Sequence, residues 1–272
     1  MIAEFQLPSD PKVKVKLREA TVADAIEFSC VDPRAEEAAT TLFLNKVQEE
    51  PATDAGLWTG EDRRYALFQY HLNTTRDRTL PVTFTCPRCG GTHSTDVTLA
   101  QILEGYRPMQ GEPFRETVLD GHNVRIFPVK GHDLELLERY RFDLEATKAL
   151  PKTGLTPAQI SERERHIREK ETRNSVFRLL CQIDVPSFQG ATPEDRRPQV
   201  EELIKGLPAG MFSDFLASVA DALAEMRHGL ATVWEDGELK MVFSGIHCPE
   251  DPAGEPFPLH FQFRPFTFIP TV

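Results

Sequence analysis

The sequence predicts an α+β fold that is mainly helical, with short antiparallel hairpins and a zinc-ribbon-like knuckle. Three observations carry this. Helix-start signatures recur, as Thr21 with Asp24, Thr59 with Asp62, and Thr156-Pro157 with Gln159. Asp-Gly pairs at 120–121 and 236–237 sit between short apolar runs, which is hairpin chemistry. Between two further short strand patterns stands Cys86-Pro87-Arg88-Cys89-Gly90-Gly91-Thr92-His93.

Taken in order, residues 13–19 alternate apolar and charged and read as a half-buried strand. Thr21 opens a short helix to about Cys30, and Pro33 restarts one carrying Leu42, Phe43, Leu44 and Val47. Residues 49–57 form a loop. The helix after Thr59 carries Tyr65, Leu67, Phe68, Tyr70, His71 and Leu72. Strands are expected at 80–85 and 95–99 around the cysteine turn, followed by a short helix to about 106. Residues 116–119 and 123–128 flank Asp120-Gly121.

A helix with Leu134, Leu136, Leu137, Tyr140 and Leu144 inward is expected from Asp133 to about Leu150, where Pro151 to Gly154 breaks it. Pro157 at the first helical position starts the next, to about Ile183; its charged run, Ser161 to Arg173, is a solvated face or a partner-binding arm. Thr192-Pro193 opens a helix that Gly206 ends. Residues 209–228 are amphipathic, with Phe212, Phe215, Leu216, Val219, Leu223 and Met226 inward and Gly229 as the stop. A hairpin about Asp236-Gly237 follows, then a strictly alternating strand from Phe257 and an aromatic ending. Three regions result: an N-terminal α+β domain, 1–130, with the knuckle inserted at about 80–100; a helical region, 131–230; and a C-terminal β region, 231–272, packing back on the N-terminal part.

Composition narrows the function classes. Hydrophobic residues make up 40% and charged residues 27% of 272, ordinary for a soluble globular protein. No run reaches the roughly 18 apolar residues of a membrane span, and the first residues lack the pattern of a secretory signal. The net charge of -11 disfavours nucleic acid, whose phosphates are held mainly by Lys and Arg, and favours basic partner surfaces.

Five cysteines do not suggest a disulfide framework; Cys30 and Cys181 lie in apolar helical contexts and read as buried free thiols. Cys86 and Cys89 differ. Two thiols two residues apart in a Pro- and Gly-tightened turn can face one ion, and zinc takes thiolate and imidazole ligands in a tetrahedron. His93 is the nearest third ligand. The fourth must come from elsewhere. Met241 to Pro249 echoes the run into Cys86, apolar strand then Cys-Pro, with Asp251 where a paired cysteine would stand. Cys248 or His247 is therefore the preferred source, ahead of His71. A closed site of this kind is structural. A thioredoxin-like pair would open a helix, which Gly90-Gly91 does not. No nucleophile elbow, metalloprotease helix, phosphate loop or dinucleotide fingerprint is present, so no catalytic residue is assigned. Phe266, Phe268 and Ile269 lie beyond the last strand; they either fold back on the core or insert into a partner.

The run Lys14 to Ala25, then Leu57 to Tyr65, then Phe84-Thr85-Cys86-Pro87-Arg88-Cys89-Gly90 resembles tailed-bacteriophage baseplate and tail-hub assembly proteins of the contractile type. The Phe-rich ending fits as well. The likeness covers about the first 130 and last 30 residues; Asp251 departs from a fully paired second knuckle. It implies a non-enzymatic structural or assembly role, with structural zinc. The partners would be other tail or baseplate proteins and other copies of the chain, with no nucleic acid and no membrane. The location would be the virion tail baseplate, or the host cytoplasm during assembly. The alternative is a zinc-ribbon adaptor or regulator binding nucleic acid or a polymerase, against which only Arg88 lies as a basic residue inside the ribbon. A zinc-dependent hydrolase lacks a general base near the thiols.

Overall fold

A computed structural model of the chain describes residues 2–32, 34–151, 153–235 and 238–270. Among them are eight α-helices and four small antiparallel sheets of two or three strands, an α+β fold. The chain forms two compact units, Met1–Ala55 with Glu61–Met109 and Arg227–Val272, and Gly56–Gly60 with Gln110–Met226.

The first unit begins with β1 (Phe5–Gln6) paired to β2 (Lys14–Val15). The alternation over 13–19 holds in burial, with Val15 and Leu17 inside, but ladder pairing is limited to this two-residue strand and a bridge from Leu17 to Gln48. Helix α1 (Val22–Ser29) starts on the expected box: Thr21 caps the Asp24 N–H and Asp24 caps Thr21 in return. Helices α2 (Glu36–Val47) and α3 (Gly60–Thr74) follow. Their core is aromatic, with Phe28 on Phe43 at 5.1 Å and Phe43 on Tyr70 at 4.8 Å, both edge-on. Strands β3 (Thr79–Thr85) and β4 (Thr92–Thr98) make a hairpin, and α4 (Leu99–Leu103) starts on a box between Thr98 and Gln101. After Gly229, β8 (Thr232–Glu235), β9 (Glu238–Ile246) and β10 (Phe257–Gln262) form a sheet in the order β10-β9-β8. Its first turn, Asp236-Gly237, lies outside the described residues. Gly229 has φ 78° and a Cβ there would lie 3.2 Å from the Glu61 carbonyl oxygen, so both backbone angle and space call for glycine.

The second unit holds the helical region and also the hairpin β5 (Arg115–Leu119) and β6 (His122–Ile126), which the sequence reading placed in the N-terminal domain. Asp120 and Gly121 both have positive φ, 47° and 78°, the turn that Asp-Gly favours. The reason for the different boundary is pairing: β6 takes β7 (Ile183–Asp184) on its other edge. That pairing also corrects a helix end. Helix α6 (Pro157–Leu180) stops at Cys181, and Ile183, expected as its last turn, is extended in the sheet.

Helix α5 (Gly131–Ala149) lies antiparallel to α6, joined by ion pairs of Lys170 to Asp143 at 2.7 Å and Lys148 to Glu171 at 3.1 Å. Arg163, inside the charged run, donates to the carbonyls of Thr147, Lys148, Leu150 and Pro151, the otherwise unpaired end of α5. One side of the run therefore braces its neighbour. Leu136 and Tyr140, expected inward, are exposed, and so is Leu216 on α8 (Ala209–Glu225). What α5 buries instead includes the carboxylates Asp133 and Glu138. Helix α7 (Pro193–Gly206) supplies Arg197 to Asp133 at 2.6 Å and Arg196 to Asp184, two-pronged at 2.7 Å each.

Candidate metal centre

The centre is built from two turns in the first unit. β3 and β4 pair without interruption from Thr79 opposite Thr98 to Thr85 opposite Thr92. The turn between them closes with Cys86 N–H on the Gly91 carbonyl at 2.8 Å and Gly90 N–H on the Cys86 carbonyl at 2.9 Å. Gly90 has φ 71°, and a Cβ on Gly91 would come 3.2 Å from His93 Nε2 and 3.3 Å from Cys89 Sγ. The two glycines thus make the bend and keep the ligand side of the turn clear. His93 sits on β4 opposite Phe84, which directs its ring back to the turn. Its Nε2 lies 3.1 Å from Cys89 Sγ.

The second turn follows β9. Cys248 is buried, and its carbonyl accepts from Asp251 N–H at 3.0 Å. Phe84 beside the first turn meets Phe257 of β10 with ring centres 5.9 Å apart. The ligand atoms of Cys86, Cys89, His93 and Cys248 all lie within 4.8 Å of one another. A tetrahedral zinc with bonds of about 2.3 Å to sulfur and 2.0–2.1 Å to nitrogen sets its ligand atoms about 3.3–3.8 Å apart. The donor set, three thiols and one imidazole, could hold a metal ion, and its softness suits zinc.

The electrostatics agree. Burial pushes the Cys86 thiol up, but the N–H groups of Cys89 and Arg88 and the neighbouring sulfurs outweigh it, so its pKa falls below the ordinary thiol value. At Cys89 the Gly91 N–H, 3.4 Å from the sulfur, favours thiolate, but burial and the Cys248 and Cys86 sulfurs win and raise it. The thiolate is favoured at Cys86 and disfavoured at Cys89; a divalent cation removes that conflict.

The cluster contains all four sequence-derived ligand candidates. Of the other two named, His247 pairs its Nδ1 with the Gly254 carbonyl at 2.9 Å, and His71 packs edge-on against Phe268 with its pKa lowered by burial. Asp251 stays outside the cluster and faces Arg88 Nη1 at 3.5 Å, while Arg88 Nη2 lies 4.0 Å from Glu255. In the sequence Arg88 is a lone basic residue of the ribbon; its partners sit in the second turn, and no local pattern links them.

Two readings are corrected. Phe268 and Ile269 are buried in their own unit, Phe268 stacked on Phe263 at 4.8 Å and tilted against Phe68, so these two side chains are core and not free for a partner; Phe266 is half-buried. Phe268 packs on the Phe68 and His71 rings of α3. Cys30 is exposed because it caps the end of α1; Cys181 is buried as expected, its thiol pushed up to about 12 by burial and then by Asp133. The sequence reading also missed a buried polar cluster: Asp62 accepts from Ser9 N–H at 2.8 Å and Ser9 Oγ at 2.5 Å, with His228 Nε2 at 3.9 Å. Asp62 looked like a helix-start residue, and nothing local marks Ser9 or His228.

No protein-family model matches this chain, and no curated protein and no solved structure is significantly similar to it.

Proposed function

We propose that this chain is a zinc-stapled structural or assembly protein of a phage tail baseplate, which binds other tail proteins and performs no catalysis. The observation that carries the structural reading is the ligand cluster, which brings a turn at 86–93 together with Cys248 in the turn after β9. Four protein ligands fill a zinc tetrahedron, leaving no position for a substrate or an activated water. When bound, zinc supplies fixed geometry and neutralises the thiolates. The four ligands orient it, and Arg88, held by Asp251 and Glu255, adds positive charge next to a site with three thiolates.

The baseplate assignment rests on the resemblance in Lys14 to Ala25, Leu57 to Tyr65 and the first cysteine turn. The acidic charge of -11 suits basic protein surfaces better than nucleic acid. The adaptor reading needs a cluster of basic residues on the ribbon, and Arg88 is the one Lys or Arg between Thr79 and Thr98 and lies beside two carboxylates. Among the described residues no helix is long and apolar enough to cross a membrane. The test has two arms. Purified protein should carry about one zinc per chain. Capture of the tagged chain from infected cells should recover tail or baseplate proteins; recovery of RNA polymerase or nucleic acid alone overturns the assignment in favour of the adaptor.

A further inference from the structure

Resting on the zinc reading above, we infer that the metal loads first on the β3–β4 hairpin through Cys86, Cys89 and His93, and that Cys248 then closes the site. Metal occupancy thereby regulates the docking of the second turn, residues 247–256, against the first. The three local ligands come from eight consecutive residues of one continuously paired hairpin, and two of their atoms are already 3.1 Å apart. The hairpin therefore places all three by itself. Cys248 lies on a separate turn beyond β9, so the hairpin does not place it, and its docking orders that turn at an additional entropic cost.

The remaining ties between the two turns are weak. Arg88 to Asp251 is a 3.5 Å pair with side chains 36% and 58% exposed, and Arg88 to Glu255 spans 4.0 Å with Glu255 almost fully exposed. Exposed pairs of that kind contribute little. Phe84 on Phe257 is one ring contact at the edge of β10. The backbone of 247–256 bonds within the turn itself, Asp251 N–H to the Cys248 carbonyl at 3.0 Å and Gly254 N–H to the Asp251 carbonyl at 3.1 Å, and the β9–β10 register shifts just beyond, between Phe257 and Leu259. By contrast β9 is held on both sides, by β8 and β10, without any help from a metal. Loss of the ion therefore frees the turn and leaves the sheet. The regulated element is acidic: Glu250, Asp251 and Glu255 are all exposed on it.

The experiment compares Cys248→Ser with Cys86→Ser, measuring zinc per chain, zinc affinity by chelator competition, and amide exchange along the chain. Cys248→Ser should keep about one zinc at roughly tenfold or more weaker affinity. Its amides should exchange faster at 247–256 and remain protected at 79–98. Cys86→Ser should lose the metal and protection in both turns. In the unaltered protein, titration with a chelator should release protection at 247–256 ahead of that at 86–93, a readout that needs no variant to fold. If Cys248→Ser empties as completely as Cys86→Ser, or if both turns lose protection together in the unaltered protein, the loading order is wrong while the zinc site stands. If the unaltered protein holds no zinc, the zinc reading itself fails.

Discussion

The two units solve one problem by different chemistry. Each contains sheets of two or three short strands, which do not hold together in water without something to pack on or be tied to. The first unit ties its hairpins through soft donors and aromatic rings: four metal ligands, Phe84 on Phe257, and Phe268 on α3. The second ties β7 and α5 to α7 through ion pairs with little solvent access, Asp184 to Arg196 and Asp133 to Arg197, and then caps α5 with Arg163. The difference lies in what each tie needs from its surroundings. A metal tie depends on an ion from outside and on deprotonated ligands, so it can be undone by chelation or acid. A buried guanidinium–carboxylate tie depends only on both partners being present, and fails when one is removed.

The largest expected effect breaks the first tie. Binding of a structural zinc is worth on the order of 10 kcal/mol. Cys86→Ser should therefore remove the zinc, free both ligand turns and lower the melting temperature of the first unit, while amide protection in 131–206 persists. Loss of protection across both units at once would show that the contrast drawn here is false. Next comes the second tie. Arg197→Met leaves Asp133, 6% exposed at its side chain, without its guanidinium, which should cost about 3–5 kcal/mol. Zinc content should stay unchanged in that variant. Adding Asp133→Leu should recover most of the loss, as measured by denaturant midpoint, because two apolar side chains leave no uncompensated charge.

The same contrast explains what could be read in the sequence. The metal centre was legible because three of its ligands are neighbours in the chain and the fourth repeats a Cys-Pro context after an apolar strand. The capping boxes at Thr21, Thr156 and Thr192 and the Asp120-Gly121 turn were legible for the same reason: cause and effect lie within four residues. The second unit's ties were not. Asp133 and Arg197 are 64 positions apart, and each reads locally as an ordinary surface charge. On α5 those carboxylates are buried while Leu136 is exposed and Tyr140 is only partly covered, edge-on against Phe177 at 5.0 Å, against the apolar pattern that predicted both inside. The end of α6 was misplaced because Ile183 fits a helical face equally well until β6 offers it an edge.

A smaller effect sharpens the account of the charged run on α6. If its inner side braces α5, Arg163→Ala should cost about 1–2 kcal/mol by leaving the last carbonyls of α5 without their donor. The loss should appear as faster amide exchange over 145–150. Arg165→Ala, two residues on and exposed, should change nothing measurable. Equal effects from the two would mean that the run acts only as a solvated face.

The smallest expected effect is a pH dependence that separates the units. Asp24 in the first unit is held well below the usual carboxylate range by Arg18 first and by Thr21 second. Asp195 in the second is also lowered, by the Thr192 backbone N–H first and its hydroxyl second. A carboxylate with a depressed folded pKa contributes stability that is present above the unfolded value, about 4, and disappears as pH falls through the folded one. Both caps should therefore weaken only in strong acid. Metal release comes earlier, since protons compete with a bound metal for thiolate and imidazole donors, classes that take up protons at higher pH than carboxylates do. On acidification the first unit should lose zinc and protection before any cap fails, and the second should hold until below about pH 4. Asp195→Asn should flatten the acid arm of the second unit alone, read from the pH dependence of its denaturant midpoint. A single acid transition common to both units, with zinc still bound at its midpoint, would mean that carboxylates and not the metal set the acid limit of the first unit.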